Sequence, residues 1–146
     1  MNSSAEARRE WVIYAKSVTL STSAPENVQS LFTTTINALV YSYFYYPLMT
    51  LCADQLLRVV ETAVQEKCKQ LGAPAFHTLG SAIDWLIARK IIPHTDCDRW
   101  SAMRTLRNFS AHPRSQLIAN VAMMRMQVEA SAELINSLFP EQMAQS

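Results

Sequence analysis

Glycine is scarce in this sequence, with two residues in 146. Sheet-rich architectures use glycine in many tight turns, so this scarcity argues against them and favours helices. Long apolar runs are also lacking, since none reaches the roughly 20 residues that span a bilayer. The N-terminal residues Met1 to Glu6 do not form the hydrophobic segment of a signal peptide. We therefore expect a cytoplasmic protein that makes no contact with a membrane.

Charge of one sign does not dominate either, because the formal net charge is +1. A general nucleic-acid binder carries a stronger positive field, so any contact with a nucleic acid must be local. Arg104 and Arg107 are three positions apart and share a helical face, which makes Arg104 a candidate for holding a flanking phosphate. Arg114 is a second candidate substrate-binding residue, although the sequence favours an ordinary surface role for it and for Arg99.

Cysteine is sparse, and the three residues Cys52, Cys68 and Cys97 form no CxxC pair. An odd number without that spacing argues against a disulfide framework. One alternative is a zinc site built from His94, Cys97 and either His77 or His112. No second pair of ligands with comparable spacing exists, so we expect neither a metal nor another cofactor.

Six prolines, at positions 25, 47, 74, 93, 113 and 140, divide the chain into blocks as long as substantial helices. The pattern predicts an all-α, up-and-down helical bundle of about five to six helices. We expect one domain over 1–146, with an N-terminal helix or extension at 1–22, a bundle core at 23–140 and a tail at 141–146. The expected helices run from Ser3 to about Ser17, from Ser23, from Pro47 to about Leu71, from Thr78 to Lys90, from Thr95 to about Ser110, and from Pro113 to Pro140.

Capping residues set several of these boundaries. Ser3, Ser23 and Thr95 each precede an acidic residue by three positions, which is the capping-box spacing, and Thr78 is a simple N-cap candidate. Gly72 is expected to end the third helix. That helix carries an apolar face on which we place Leu51.

Aromatic residues are concentrated between Tyr41 and Tyr46, where four tyrosines accompany Phe44. Such a run can stack nucleic-acid bases, but core packing or a protein contact is more usual. Successive positions of a helix end point all round its circumference, so some rings must be exposed or meet another chain. We favour a contact between two copies of this chain, because aromatic residues are enriched in subunit interfaces.

The segment Arg107 to Pro113, with the sequence RNFSAHP, combines a permanent cation, an amide and a titratable imidazole. In an unbroken helix Arg107 and His112 would project about 140° apart. Pro113 disfavours helix at the residue before it and is tolerated at the start of a new helix. We therefore expect a corner at His112 that turns both side chains toward one pocket.

These residue types suit a phosphodiester. A guanidinium can hold two phosphate oxygens, and an imidazole can move a proton near neutral pH. RNA carries its own nucleophile, the 2′-hydroxyl, so its cleavage needs only proton transfer and charge stabilisation, without a metal.

The same seven residues resemble the R-x(4–6)-H signature of the HEPN superfamily, whose members are small all-helical domains that include metal-independent endoribonucleases, toxins and defence nucleases. The resemblance implies Arg107 and His112 as a catalytic pair and Asn108 as their polar helper. It also implies a homodimer in which two motifs line one cleft, RNA as substrate, and a possible antitoxin or regulatory partner. The alternative is a non-catalytic HEPN-like module that binds a nucleotide or a protein.

Overall fold

The computed structural model describes residues 4–110 and 121–141, with only the backbone described at residues 107–110. It is an all-helical bundle, as the sequence predicts, and the described residues form six α-helices and no strand. The helices are α1 (Ser4–Ser17), α2 (Glu26–Tyr41), α3 (Leu48–Gln70), α4 (Leu79–Ala88), α5 (Cys97–Ser110) and α6 (Val121–Leu138). A single 3-10 turn, His94–Asp96, precedes α5. None of these helices is both long and apolar enough to cross a bilayer.

The central element is α3, which packs against α2, α4, α5 and α6. Its buried side chains recur at spacings of three and four, the period that keeps one helical stripe facing the core. Leu56, Val59 and Val60 are fully buried. Leu51, which we expected on the same face, is 65% exposed. Seven residues make about two turns, so Leu51 shares the outer face of exposed Arg58 rather than that of Leu56.

The direction of each helix follows from contacts near its ends. Asn27 at the start of α2 donates to Glu66 near the end of α3, so these helices are antiparallel. The Gln127 amide donates to the Ala53 carbonyl at 2.7 Å, and Lys67 lies over the ring of Phe139, so α3 and α6 are parallel. In α1, the Ser4 carbonyl accepts from the hydroxyl of Tyr43, which follows α2.

The helix α5 is antiparallel to α6. Arg99 near its start pairs with Glu133 in the second half of α6, whereas Leu106 near its end lines a groove with Met123 and Met126 from the first turns of α6. One end of the bundle therefore gathers the start of α1, the end of α2, the start of α3, the end of α5 and the start of α6. We call this the motif end, because α5 ends here with the first residues of the RNFSAHP segment.

Two capping predictions are wrong. The residue that precedes α2 is Pro25, without a side-chain cap, and the backbone N–H of Ser23 instead donates to the hydroxyl of Ser21. Thr95 lies inside the 3-10 turn, and α5 begins two residues later. In each case a tight local turn competes for the position at which the helix was expected to start. Ser3 lies outside the described residues.

The Thr78 cap and the Gly72 stop are confirmed. The Thr78 hydroxyl accepts from the Ser81 N–H at 3.1 Å. Gly72 has a φ of 74°, the left-handed conformation that glycine adopts without strain. The N–H groups of Gly72 and Ala73 donate to the carbonyls of Lys69 and Cys68, which is the Schellman arrangement.

Candidate functional site

The backbone of Arg107 and Asn108 belongs to the last turn of α5. Their side chains lie outside the described residues, as do His112, Pro113 and Arg114 in their entirety. The expected corner and the meeting of guanidinium and imidazole are therefore a prediction that falls beyond the described part of the chain. What the structure does describe is the surface around the end of α5.

Arg104 lies one helical turn before Arg107 and is exposed. Its guanidinium packs directly over Gly80, the second residue of α4, which is itself buried. A Cβ atom built at Gly80 would lie 2.6 Å from the Nε atom of Arg104, so only glycine leaves room for this side chain where it lies. The sequence indicated Arg104 as a candidate phosphate-binding residue. It did not indicate that the Arg104 side chain packs against α4. The available signal was an isolated glycine inside a helical pattern, which often marks a close approach.

Arg99 has a structural partner. It forms an ion pair with Glu133 that ties the start of α5 to α6 across the surface. The sequence favoured an ordinary surface role for this arginine, and the ion pair agrees with that interpretation. Exposed pairs of this kind stabilise a fold by about 1 kcal/mol at most.

A shallow apolar groove of about 270 Å³ lies where α3, α5 and α6 meet at the motif end. It is lined by Ala53, Met103, Leu106, Met123, Met126, Gln127 and Ala130. Leu106 is 37% exposed and Met126 is 69% exposed, so part of the apolar lining faces solvent. Flexible methionine side chains can adapt to more than one contacting shape. We call this surface the methionine groove.

The segment Tyr41–Tyr46, which we call the aromatic turn, also lies at the motif end because it connects α2 to α3. All four of its tyrosines and Phe44 are exposed. The rings of Tyr43 and Phe44 meet edge to face, with centroids 5.5 Å apart. The expectation that some of these rings are exposed is confirmed, while their contact with a second copy stays a prediction.

On the side of the bundle where α1 meets α6, Tyr14 joins the two helices. Its hydroxyl lies 3.2 Å from both the Arg125 carbonyl and a Glu129 carboxylate oxygen, and the Arg125 guanidinium lies 3.9 Å from its ring centroid. Burial raises the pKa of Tyr14 above its usual value of 10.0, while the nearby Arg125 side chain opposes the shift. This contact joins the second half of α1 to the second and third turns of α6.

The three cysteines are free thiols. Burial raises the pKa of Cys52 to about 11 and also raises that of Cys68, so neither is an activated nucleophile. The Cys97 sulfur lies 3.9 Å from His94 Nδ1, which brings together the pair that the zinc alternative required. Within 4–106 and 121–141, however, no group of three or more His, Cys, Asp or Glu side chains is placed to hold a metal ion. His112, a further ligand in that alternative, lies outside the described residues.

No protein-family model, curated protein or solved structure matches the chain.

Proposed function

We propose that the protein is a metal-independent endoribonuclease of HEPN type that acts in a cleft between two copies of the chain. The observation that best supports this proposal is the position of Arg107 and Asn108 in the last turn of α5, one turn beyond exposed Arg104. The all-helical bundle agrees with the fold that the resemblance implies.

In the proposed reaction, Arg107 binds the scissile phosphate and stabilises the charge that develops on it. His112 takes the proton of the 2′-hydroxyl, the 2′-oxygen bonds to phosphorus, and the bond from phosphorus to the 5′-oxygen breaks. The leaving oxygen takes up a proton, and Asn108 orients the reacting groups. The products are a 2′,3′-cyclic phosphate and a 5′-hydroxyl end.

Arg104 is assigned to a flanking phosphate, since the residue is exposed and its guanidinium has a defined position over Gly80. Arg114 is assigned to the substrate on the basis of sequence alone. We further propose that the enzyme acts on cytoplasmic RNA in a toxin–antitoxin or defence setting, under the control of an antitoxin or regulatory protein.

The test is cleavage of a mixed set of RNAs by the wild type, Arg107→Ala and His112→Ala, each in the presence of EDTA. Arg99→Ala is a matched control, because it removes an arginine from the same helix about two turns away. Circular dichroism and gel filtration check that each variant keeps its fold and its oligomeric state. We expect cutting to persist in the control and to be lost in both motif variants.

An inert wild type would contradict the proposal and would favour a module that binds without cleaving. Cleavage that EDTA abolishes would exclude a metal-independent mechanism, and products that carry a 5′-phosphate would exclude attack by the 2′-hydroxyl.

A further inference from the structure

Most of the surface of several rings in the aromatic turn is exposed to solvent. Tyr41 is 65%, Phe44 63% and Tyr45 62% exposed. Leaving several large rings in water costs free energy that burial would recover, so a contiguous set of them marks a binding surface. The turn that carries them is well anchored by the Tyr43 hydroxyl, which donates to the Ser4 carbonyl at 3.1 Å.

A cation lies beside these rings. The Arg8 guanidinium is 5.4 Å from the centroid of the Phe44 ring, within the range of a cation–π contact. Glu6 and Glu10 are each two positions from Arg8 in the sequence. Two positions correspond to a rotation of about 200° around the axis of α1, so both carboxylates project from the side opposite Arg8. The acidic residues of α1 therefore face away from the flank that meets the aromatic turn, and that flank presents positive charge.

The part of the chain that carries the rings contains no acidic residue over a long stretch. No charged residue occurs between Glu26 and Asp54, which includes the whole aromatic turn and the first turn of α3. At the same end of the bundle, α5 carries exposed Arg104 toward its final turn. Arg8 is thus the charge that the structure places against these rings, and a cation there is complementary to a polyanion.

A second copy of this chain fits the turn less well. In a two-fold contact the same patch lies on both sides, so each copy would bring the positive charge of Arg8 into the interface, and residues 27–53 offer no acidic side chain to pair with it. The methionine groove offers a second apolar surface at the same end of the bundle that a copy of this chain could cover. Exposed rings interleaved with cations are the arrangement by which proteins hold unpaired nucleic-acid strands, because every base offers a face for stacking.

We propose that the aromatic turn is a stacking platform for unpaired RNA bases, with Phe44 and Tyr45 as its main rings and Arg8 as the contact to the adjoining phosphate. The choice of RNA rests on the function proposed above, and the inference assigns single-stranded RNA as its substrate class. The turn and the backbone of the end of α5 share one end of the bundle.

The test measures binding separately from cleavage. The probe is a fluorescein-labelled, 2′-O-methyl oligouridylate of twelve nucleotides, which lacks the 2′-hydroxyl that the cleavage mechanism requires. Fluorescence anisotropy compares the wild type with Phe44→Leu, Tyr45→Leu, Tyr45→Phe and Arg8→Gln. Leu71→Ala is the matched control, since Leu71 is an exposed apolar residue that follows α3 at the opposite end of the bundle.

We expect each leucine variant to weaken binding by about tenfold, as the loss of one stacked base predicts. Tyr45→Phe keeps the ring and should bind as the wild type does, as should Leu71→Ala. Arg8→Gln should weaken binding less than the loss of a ring. A self-complementary duplex of the same chemistry should bind more weakly than the single strand, because its bases are not free to stack.

Several results would overturn the inference. They are a wild type that does not bind the probe, leucine variants that bind as tightly as the wild type, and a Tyr45→Phe variant as defective as Tyr45→Leu. A shift to smaller mass on gel filtration in the leucine variants would identify the turn as a contact between copies instead. Binding that depends on the rings, with no cleavage of natural RNA, would leave the platform standing and refute the nuclease.

Discussion

The guanidinium of Arg104 on α5 rests on Gly80 of α4, where the absence of a side chain leaves the room that it occupies. Gly80 is buried and lies in the first turn of its helix, and Arg104 lies one turn before Arg107. The contact joins Gly80, for which the sequence indicated no role, to Arg104, which the sequence indicated as a candidate phosphate-binding residue. It also makes the position of Arg104 testable through its neighbour.

We expect Gly80→Ala to displace Arg104 while leaving the fold intact. The added methyl group meets the far end of a flexible side chain, and alanine is favoured over glycine in a helix by about 1 kcal/mol. The double variant Gly80→Ala/Arg104→Ala should therefore gain more free energy of unfolding than Gly80→Ala alone. Urea denaturation of all four forms gives the coupling between the two positions. A large loss of stability in both backgrounds would mean that something other than Arg104 excludes the methyl group.

The ends of α3 and α4 allow glycine and lysine to be compared in the same left-handed backbone conformation. Both α3 and α4 end in a Schellman motif, but the left-handed position is Gly72 in the first and Lys90, with a φ of 62°, in the second. We expect Lys90→Gly to raise the free energy of unfolding by about 1 kcal/mol, because a side chain disfavours this conformation. Gly72→Ala should lower it by a similar amount, although no atom lies within 4 Å of the added methyl group. Thermal denaturation measures both effects, and equal melting temperatures for Lys90→Gly and the wild type would contradict the expectation.

The contact of Tyr14 with α6 should make stability depend on alkaline pH. Its pKa is raised in the folded state, chiefly by burial, so the folded protein keeps the phenol proton at pH values where the unfolded chain has lost it. The stabilisation is complete below about pH 10 and declines as the pH rises through the folded-state value. We therefore expect the free energy of unfolding to fall more steeply above pH 10 in the wild type than in Tyr14→Phe. Parallel curves for the two proteins, measured by urea denaturation, would show that Tyr14 does not contribute.

Thiol reactivity should separate the three cysteines. Cys52 and Cys68 are buried with raised pKa values, and Cys97 is half-buried near the start of α5. At pH 8 we expect one thiol per chain to react rapidly with a disulfide reagent and the other two to react slowly, because so little thiolate is present and access is poor. Cys97→Ser should remove the rapid phase, and denaturation should expose every remaining thiol. A rapid phase that survives in Cys97→Ser would assign it to one of the buried positions.

The sequence determined the helices because periodic apolar residues, prolines and Gly72 are local signals that act within one turn or two. The predictions of helix N-caps at Ser23 and Thr95 are wrong, because neighbouring turns compete with the expected caps. The RNFSAHP segment could be singled out for the same reason, since its chemistry is contained in adjacent residues. Its geometry at His112 is a prediction still to be tested.

Tertiary structure alone decided which distant elements meet. Three features join residues that are far apart in the chain. They are the parallel packing of α3 and α6, the contact of Arg104 with Gly80, and the position of the aromatic turn at the same end as the last turn of α5. Such contacts depend on how whole helices pack into a shared core, and no local pattern encodes them. Leu51 shows that apolar character alone does not place a residue in the core, because its position around α3 faces it outward.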